Sequence, residues 1–369
     1  MSAEVGIDAH PQRAVRAAAP RLADHTAGRG NNVLAIRFAA AAVVILFHCY
    51  ALTDRWTDEP LYAAFAPMNL GVLGVQVFFV LSGFLVTQSW LARPALAPYA
   101  AARVLRIYPA LVAATVFTIA VAGATGSLPW REYLASPATW RYFLRTATGF
   151  DVVDKLPGAF EHNPFPHAAN GSLWTLPVEL RLYVALGIAG IAGLLARPRA
   201  WAGAGLALVA AALAWPDLVP LDPNTRGTRL AALLFLLGSL ACVWQRHLPL
   251  SLPAAALAFA LPLIDANGLA RDGPLFALLL AYVVLVAAYH PVLRLPGLAR
   301  APDYSYGLYV YAFPIQQAIV WAVPGIAPLA LFAVALPATL AVAAVSWHAL
   351  ESPALRLKSR FRPPSPPRR

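Results

Sequence analysis

The chain alternates between long apolar runs and short polar stretches. Ten runs stand out: 33–52, 70–91, 104–123, 173–195, 200–215, 230–245, 250–265, 275–290, 304–323 and 327–348. A helix that crosses a bilayer needs roughly 17–25 predominantly apolar residues. Each run therefore reads as a transmembrane helix, with 200–215, 250–265 and 275–290 at the short end. The pattern predicts an all-α integral membrane protein, a polytopic bundle of about ten transmembrane helices over 33–353. Residues 1–32 are polar and read as a disordered cytoplasmic tail, and 354–369 as a Pro/Arg-rich cytoplasmic tail. The longest connection, 124–172, carries Trp130, Trp140, Tyr142, Pro157, Pro164 and Pro166. That length and aromatic content suit a small folded cap on the outer side better than a tether.

Composition sharpens this picture. Hydrophobic residues make up 60% and charged residues 12%, against about 45–50% and about 25% in a soluble domain. A soluble globule and a disordered chain are both excluded, since neither could hold so much apolar surface in water. The net charge of +11 does not point to nucleic acid, because the basic residues lie between apolar runs and form no patch. Placing the N-terminus inside puts 19 Lys and Arg on inner segments and 8 on outer ones. That bias predicts cytoplasmic N- and C-termini and an even number of spans. Cys49 and Cys242 each sit inside an apolar run and support neither a disulfide framework nor a metal site.

An ionisable residue at membrane depth is costly and by default marks a functional site. Here the candidates are His48 in the first span, Glu179 and Arg181 in the fourth, and Arg37 near the inner end of the first. Arg37 and His48 are eleven residues apart, about three helical turns, so they share a face and are separated by roughly 16 Å. If residue 173 opens the fourth span, Glu179 and His48 lie at similar depth on the outer half. A histidine beside a carboxylate suits general-base chemistry. A hydrogen-bonded structural histidine and a snorkelling arginine are the competing readings of His48 and Arg37. Arg103 and Arg106 share a face at the inner start of the third span, as a clamp for a phosphorylated ligand or as a positive-inside anchor.

Several stretches together resemble one family. They are Arg37-Phe-Ala-Ala-Ala-Ala-Val-Val-Ile-Leu-Phe-His48, Gly74-Val-Gln-Val-Phe-Phe-Val-Leu-Ser-Gly-Phe84 and Arg103-Val-Leu-Arg-Ile-Tyr-Pro109. Asn170-Gly-Ser-Leu-Trp-Thr-Leu-Pro-Val-Glu179 with Tyr183, Ser305-Tyr-Gly-Leu-Tyr309 and Trp347-His-Ala-Leu-Glu-Ser-Pro353 follow in order. From about residue 33 to 358 the chain resembles the acyltransferase-3 family of integral membrane O-acyltransferases. One departure is Ala312, where members often carry a histidine. The resemblance implies an acyl-CoA donor, commonly acetyl-CoA, a glycan or other hydroxyl acceptor handled at the outer face, membrane lipid around the bundle, and no metal. On that reading His48 is the catalytic base, with Glu179 and Arg37 beside it, and Arg103 and Arg106 hold the donor's phosphates. The expected setting is a bacterial inner membrane. A transporter of lipid-linked or acidic solutes, a non-catalytic partner in glycan export and an acyltransferase of secondary metabolites are the competing classes. No internal repeat supports the transporter.

Overall fold

The computed structural model of the chain describes residues 19–28, 30–214, 226–265, 267–268, 270–297 and 301–361. Their regular structure is helical: α1 (Val33–Leu52), α2 (Pro60–Phe65), α3 (Leu70–Ala92), α4 (Leu96–Thr125), α5 (Trp130–Ala135), α6 (Pro137–Thr148) and α7 (Leu176–Ile191). Then come α8 (Pro198–Ala214), α9 (Arg226–Val243), α10 (Leu252–Ile264), α11 (Gly273–Tyr289), α12 (Ser305–Ala322), α13 (Pro328–Ser346) and α14 (Ser352–Arg356). A 3₁₀ turn over Gly171–Thr175 leads into α7, and a π turn over Trp347–Glu351 joins α13 to α14.

Every predicted apolar run falls on a helix. Among the described residues, five segments are long and apolar enough to cross a membrane: Val33–Leu52, Leu70–Ala92, Leu96–Thr125, Gly171–Ile191 and Pro328–Phe361. Gly227–Val243, Leu252–Ile264 and Gly273–Tyr289 are apolar but shorter. At 1.5 Å per residue, α10 and α11 reach only roughly 20 and 26 Å, against a hydrocarbon core about 30 Å thick. The outward surface is strongly apolar. Ile188, Leu206, Phe259, Ile264 and Val345 all stand well out of the bundle. Water would penalise such a surface, and lipid would not.

Helix α3 is central, packed between α1 and α9. Its approach to α9 is set by two glycines. A Cβ on Gly83 would collide with the carbonyl oxygen of Phe235, and one on Gly238 with that of Val80. Backbone therefore meets backbone, the small-residue packing that membrane helices use in place of a hydrophobic driving force. Thr87 adds a polar link by donating to Ser239 Oγ at 2.7 Å. Gly83→Val should destabilise by about 1–3 kcal/mol or more through overpacking. Gly203→Val is the control, because a Cβ there meets nothing within 4 Å. Thermal unfolding in detergent compares them, and equal stability of the two variants would refute the glycine contact as a packing determinant.

The 124–172 segment is folded. Tyr133, Tyr142 and Phe160 form a buried cluster of its own. It is fastened to α12 by Asn163, whose Nδ2 donates to the Gln317 side-chain oxygen at 2.7 Å and to its carbonyl at 2.9 Å. Gln317 Nε2 in turn donates to the carbonyls of Phe165 and Ala168, both at 2.9 Å.

The ends differ from expectation. Residues 1–18 lie outside the described residues, but Leu22, placed in a disordered tail by its polar surroundings, is fully buried. Its N–H donates to the Leu248 carbonyl at 2.9 Å, and the Leu250 N–H donates to that of Pro20 at 2.7 Å. With the Ala23 N–H on the Gln245 carbonyl, Arg21 on that of Arg246 and Thr26 on the Gln245 side chain, these contacts dock the stretch on the α9–α10 connection. At the other end the helical path continues to Phe361, past residue 354, where a tail was expected.

Candidate active site

Arg37 does not stand alone. Its Nε lies 3.3 Å from Asp303 Oδ2 and donates to Ser305 Oγ at 3.2 Å. Arg106 pairs with the same aspartate at 2.6 Å and with Glu351 Oε2 at 3.4 Å. Glu351 is fully buried and also accepts from Ser346 Oγ at 3.2 Å. Two guanidinium groups and two carboxylates thus neutralise each other, tying α1, α4, the start of α12 and the π turn together. Burial alone would raise the Asp303 carboxyl. Arg106 and Arg37, with the two hydrogen bonds from Ser305, outweigh that and hold it well below the ordinary carboxylate range.

Arg103 and Arg106, expected to act as one clamp, part company. Arg106 is committed to two carboxylates and stacks near the Tyr306 and Trp347 rings. The Arg103 guanidinium lies over the Tyr183 ring at 5.7 Å, and its Nε is buried without a partner. Three residues of spacing place both on one side of α4, but the angle between them is enough for only Arg106 to meet Asp303.

Beside the ion cluster lies an open cavity of about 480 Å³, with Arg37, Ser82, Glu179, Ser305, Tyr306 and Tyr309 in its walls. Glu179 accepts hydrogen bonds from Ser82 Oγ at 3.1 Å and from the Tyr183 hydroxyl. A second cavity, of about 330 Å³, has His48, Ser172, Trp174 and Tyr309 in its walls. Val75 and Tyr309 line both. Arg37 and His48 therefore sit on one face of α1, as their spacing predicts, but each looks into its own cavity.

The expected contact between His48 and Glu179 is not made. The imidazole packs edge-on against Phe313 at 5.2 Å, and its Nδ1 is buried without a partner. Glu179 spends its hydrogen bonds on Ser82 and Tyr183, in the cavity of Arg37. The cause is local. The apolar pattern opens the fourth span at residue 173 and leaves 170–172 in the outer connection, yet Asn170, Ser172, Leu173 and Thr175 are buried. This 3₁₀ turn rises about 2 Å per residue, so Ser172 reaches the level of His48 and Glu179 lies deeper. Arg181, half-buried, faces the 124–172 segment closely enough to act on the charge of Asp151, and lines neither cavity.

The 3₁₀ turn is locked in place by a gap in α12. Pro314 has no N–H to give the Val310 carbonyl. Asn170 Nδ2 fills that place at 2.9 Å, and its Oδ1 accepts from the Ser172 N–H at 3.3 Å. Tyr309 donates to the Ser172 carbonyl at 2.5 Å and shares a hydrogen bond with Thr175 Oγ1 at 2.6 Å. A fully buried asparagine so engaged is no glycosylation acceptor. Asp303, Glu351, Ser172 and Tyr309 escaped the sequence reading as site residues. Asp303 and Glu351 sit at the very ends of apolar runs, where charge is ordinary. Only the convergence of distant segments gives them a role. Among the described residues, no group of three His, Cys, Asp or Glu side chains is placed to hold a metal ion.

Outward-facing apolar helices around largely buried ion pairs, with two mainly apolar cavities that carry a few polar groups, are those of an integral membrane protein. Residues 32–348 match the family model Acyl_transf_3, described as an acyltransferase domain. The chain belongs to the acyltransferase-3 family of integral membrane O-acyltransferases. It is 28% identical to nodulation protein 10 of Rhizobium leguminosarum bv. viciae, over 91% of this chain and 96% of that protein. It is 26% identical to an O-acetyl transferase of Shigella phage Sf6, over 77% and 84% of the two. With the exopolysaccharide production protein ExoZ of Rhizobium meliloti (strain 1021) it shares 33% identity, over 78% and 90%. No solved structure gives a significant match.

Proposed function

We propose that the protein moves an acetyl group from cytoplasmic acetyl-CoA to a hydroxyl of a cell-surface or exported glycan, in a bacterial inner membrane. The observation that carries this reading is the pair of cavities on the Arg37–His48 face of α1, separated by a shared wall of Val75 and Tyr309. Two of the similar proteins, an O-acetyl transferase and an exopolysaccharide production protein, supply the acyl group and the acceptor class for this reading. The charge bias of the connections favours an even number of crossings with both termini inside. The Arg37 cavity then opens toward the cytoplasm and takes the donor's pantetheine arm. Arg103, whose guanidinium has no carboxylate partner among the described residues, meets a CoA phosphate, and Arg106 holds Arg37 in place through Asp303. His48 takes the proton of the acceptor hydroxyl as its oxygen attacks the thioester carbonyl. The tetrahedral intermediate collapses, CoA leaves as the thiolate, and the imidazolium returns the proton to it. Glu179, with Ser82 and Tyr183, shapes the donor's channel.

The test is incorporation of labelled acetyl from acetyl-CoA into surface glycan by membranes that contain the protein. Incorporation equal to that of membranes lacking it would refute the reading. Arg103→Ala should raise the KM for acetyl-CoA with little change in kcat, because a phosphate contact binds ground and transition states alike. Arg103→Lys should recover part of the loss, since it keeps the charge but not the planar fork. An unchanged donor KM in Arg103→Ala would leave the residue an anchor.

A further inference from the structure

Two residues that line the His48 cavity each carry a buried polar atom with no partner in the protein: His48 Nδ1 and Ser172 Oγ. Leaving a buried hydrogen-bonding group unpaired costs about 1–3 kcal/mol, so each such group calls for an explanation. Poor placement does not supply one. The Ser172 backbone is fixed on both sides, its N–H by Asn170 and its carbonyl by Tyr309. The imidazole is fixed by Phe313 and Phe47. Both residues are thus held in the wall of a cavity, and a small turn of either side chain would bring its unpaired atom to a ligand's hydroxyl there. A hydroxyl suits both, because it donates one hydrogen bond and accepts others.

The third feature is Trp174, two residues beyond Ser172. Its indole lines the same cavity yet is 42% exposed, so it stands at the mouth. One edge of the ring rests near the Gly227 backbone, where an added Cβ would lie 3.5 Å from it. An indole half in and half out of a mainly apolar cavity that carries His48, Ser172 and Tyr309 offers a flat surface to a ligand that is apolar on one face and hydroxylated at its rim. A pyranose ring has that character. Phosphate or carboxylate does not, and no free cation lines this cavity to hold one.

Resting on the acyl-transfer reading above, we infer that the His48 cavity is the acceptor's subsite. It seats one sugar ring of the glycan on Trp174 and holds its reacting hydroxyl between His48 and Ser172. Ser172 accepts from or donates to that hydroxyl and aims its oxygen across the Val75–Tyr309 wall at the thioester. His48 removes the proton. Trp174 supplies affinity for the ring and no chemistry.

The acceptor probe is the extracellular polysaccharide of the producing cells, stripped of O-acyl groups by mild alkali, with labelled acetyl-CoA as donor and membranes as enzyme. Trp174→Ala should raise the KM for polysaccharide about tenfold and leave the KM for acetyl-CoA unchanged, while Trp174→Phe keeps most of the wild-type affinity. Ser172→Ala should lower kcat/KM for polysaccharide about three- to tenfold, the worth of one hydrogen bond between uncharged groups, with thermal unfolding unchanged. Unaltered polysaccharide kinetics in both alanine variants, or equal losses toward donor and polysaccharide, would overturn the subsite. Binding of the same polysaccharide, fluorescein-labelled, to protein in nanodiscs separates this inference from the transfer reading. Binding by wild type that Trp174→Ala loses, with no acetyl transfer by either, would overturn the transferase reading and keep the subsite. Equal binding by both would overturn the subsite alone.

Discussion

His48→Ala should abolish acetyl transfer while the protein still inserts, folds and survives detergent extraction. Removing a positioned general base costs roughly 10²–10⁴-fold in rate, enough to drop turnover below detection in a membrane assay. Folding should survive because the imidazole makes no hydrogen bond through Nδ1 whose loss would strand a partner, and its neighbours are the apolar rings of Phe47 and Phe313. His48→Gln should fare no better, since it restores polarity but not a proton acceptor of suitable basicity. The measurement is labelled-acetyl incorporation normalised to folded protein, together with the thermal midpoint. Turnover within tenfold of wild type in a well-folded His48→Ala protein would remove the histidine from the chemistry.

Asp303→Asn should be the most damaging single change to the fold. The substitution keeps size and removes one charge, so Arg37 and Arg106 are left with only the Glu351 carboxylate between them. Breaking one partner out of a fully buried ion pair costs about 3–5 kcal/mol; the Asp303 side chain keeps 19% of its surface exposed, so the loss should fall toward the low end of that range, still a large part of what holds a protein folded. Asp303→Glu should retain some of the stability. Titration gives a second readout with a definite sign. The native carboxyl is held below its ordinary range, so its stabilising contribution is complete above the unfolded-state value. It is lost as pH falls through the lower native one. The wild type should therefore keep this contribution through mildly acidic pH, and Asp303→Asn should lack that part of the acid dependence. Thermal midpoints that differ by under about 2 °C would mean that the cluster does not stabilise the fold.

The apolar runs located the helices well, because a segment that must hide its backbone in lipid has few alternatives to a helix. The face shared by Arg37 and His48 was legible for the same reason, since helical pitch alone fixes it. Depth was not. Glu179 was set beside His48 by counting from residue 173, whereas residues 170–175 already lie inside the bundle as a 3₁₀ turn held by Pro314 and Asn170. Asn170 is close by in the chain, but the gap it fills is made by Pro314, more than a hundred positions away. The separation of Arg103 from Arg106 also depends on Asp303, about two hundred positions away in the chain. Leu22 was misjudged because one apolar residue among polar ones carries no periodic signal. Its partner surface lies on the distant α9–α10 connection.

The Val310 carbonyl has a consequence for how the protein is made. On its own in lipid, α12 would carry a bare carbonyl opposite Pro314, at a cost of several kcal/mol, along with the amides of Gln316 and Gln317. Asn170, Asn163, Phe165, Ala168 and, across α1, Ile45 answer the Val310 carbonyl, the Gln317 amide and the Gln316 Nε2. All of them leave the ribosome well before residue 305. Helix α12 is thus a poor candidate for independent release from the translocon and a good one for direct hand-over to a half-built bundle. Such a helix is expected to insert only after the segment that forms the His48 cavity has taken shape.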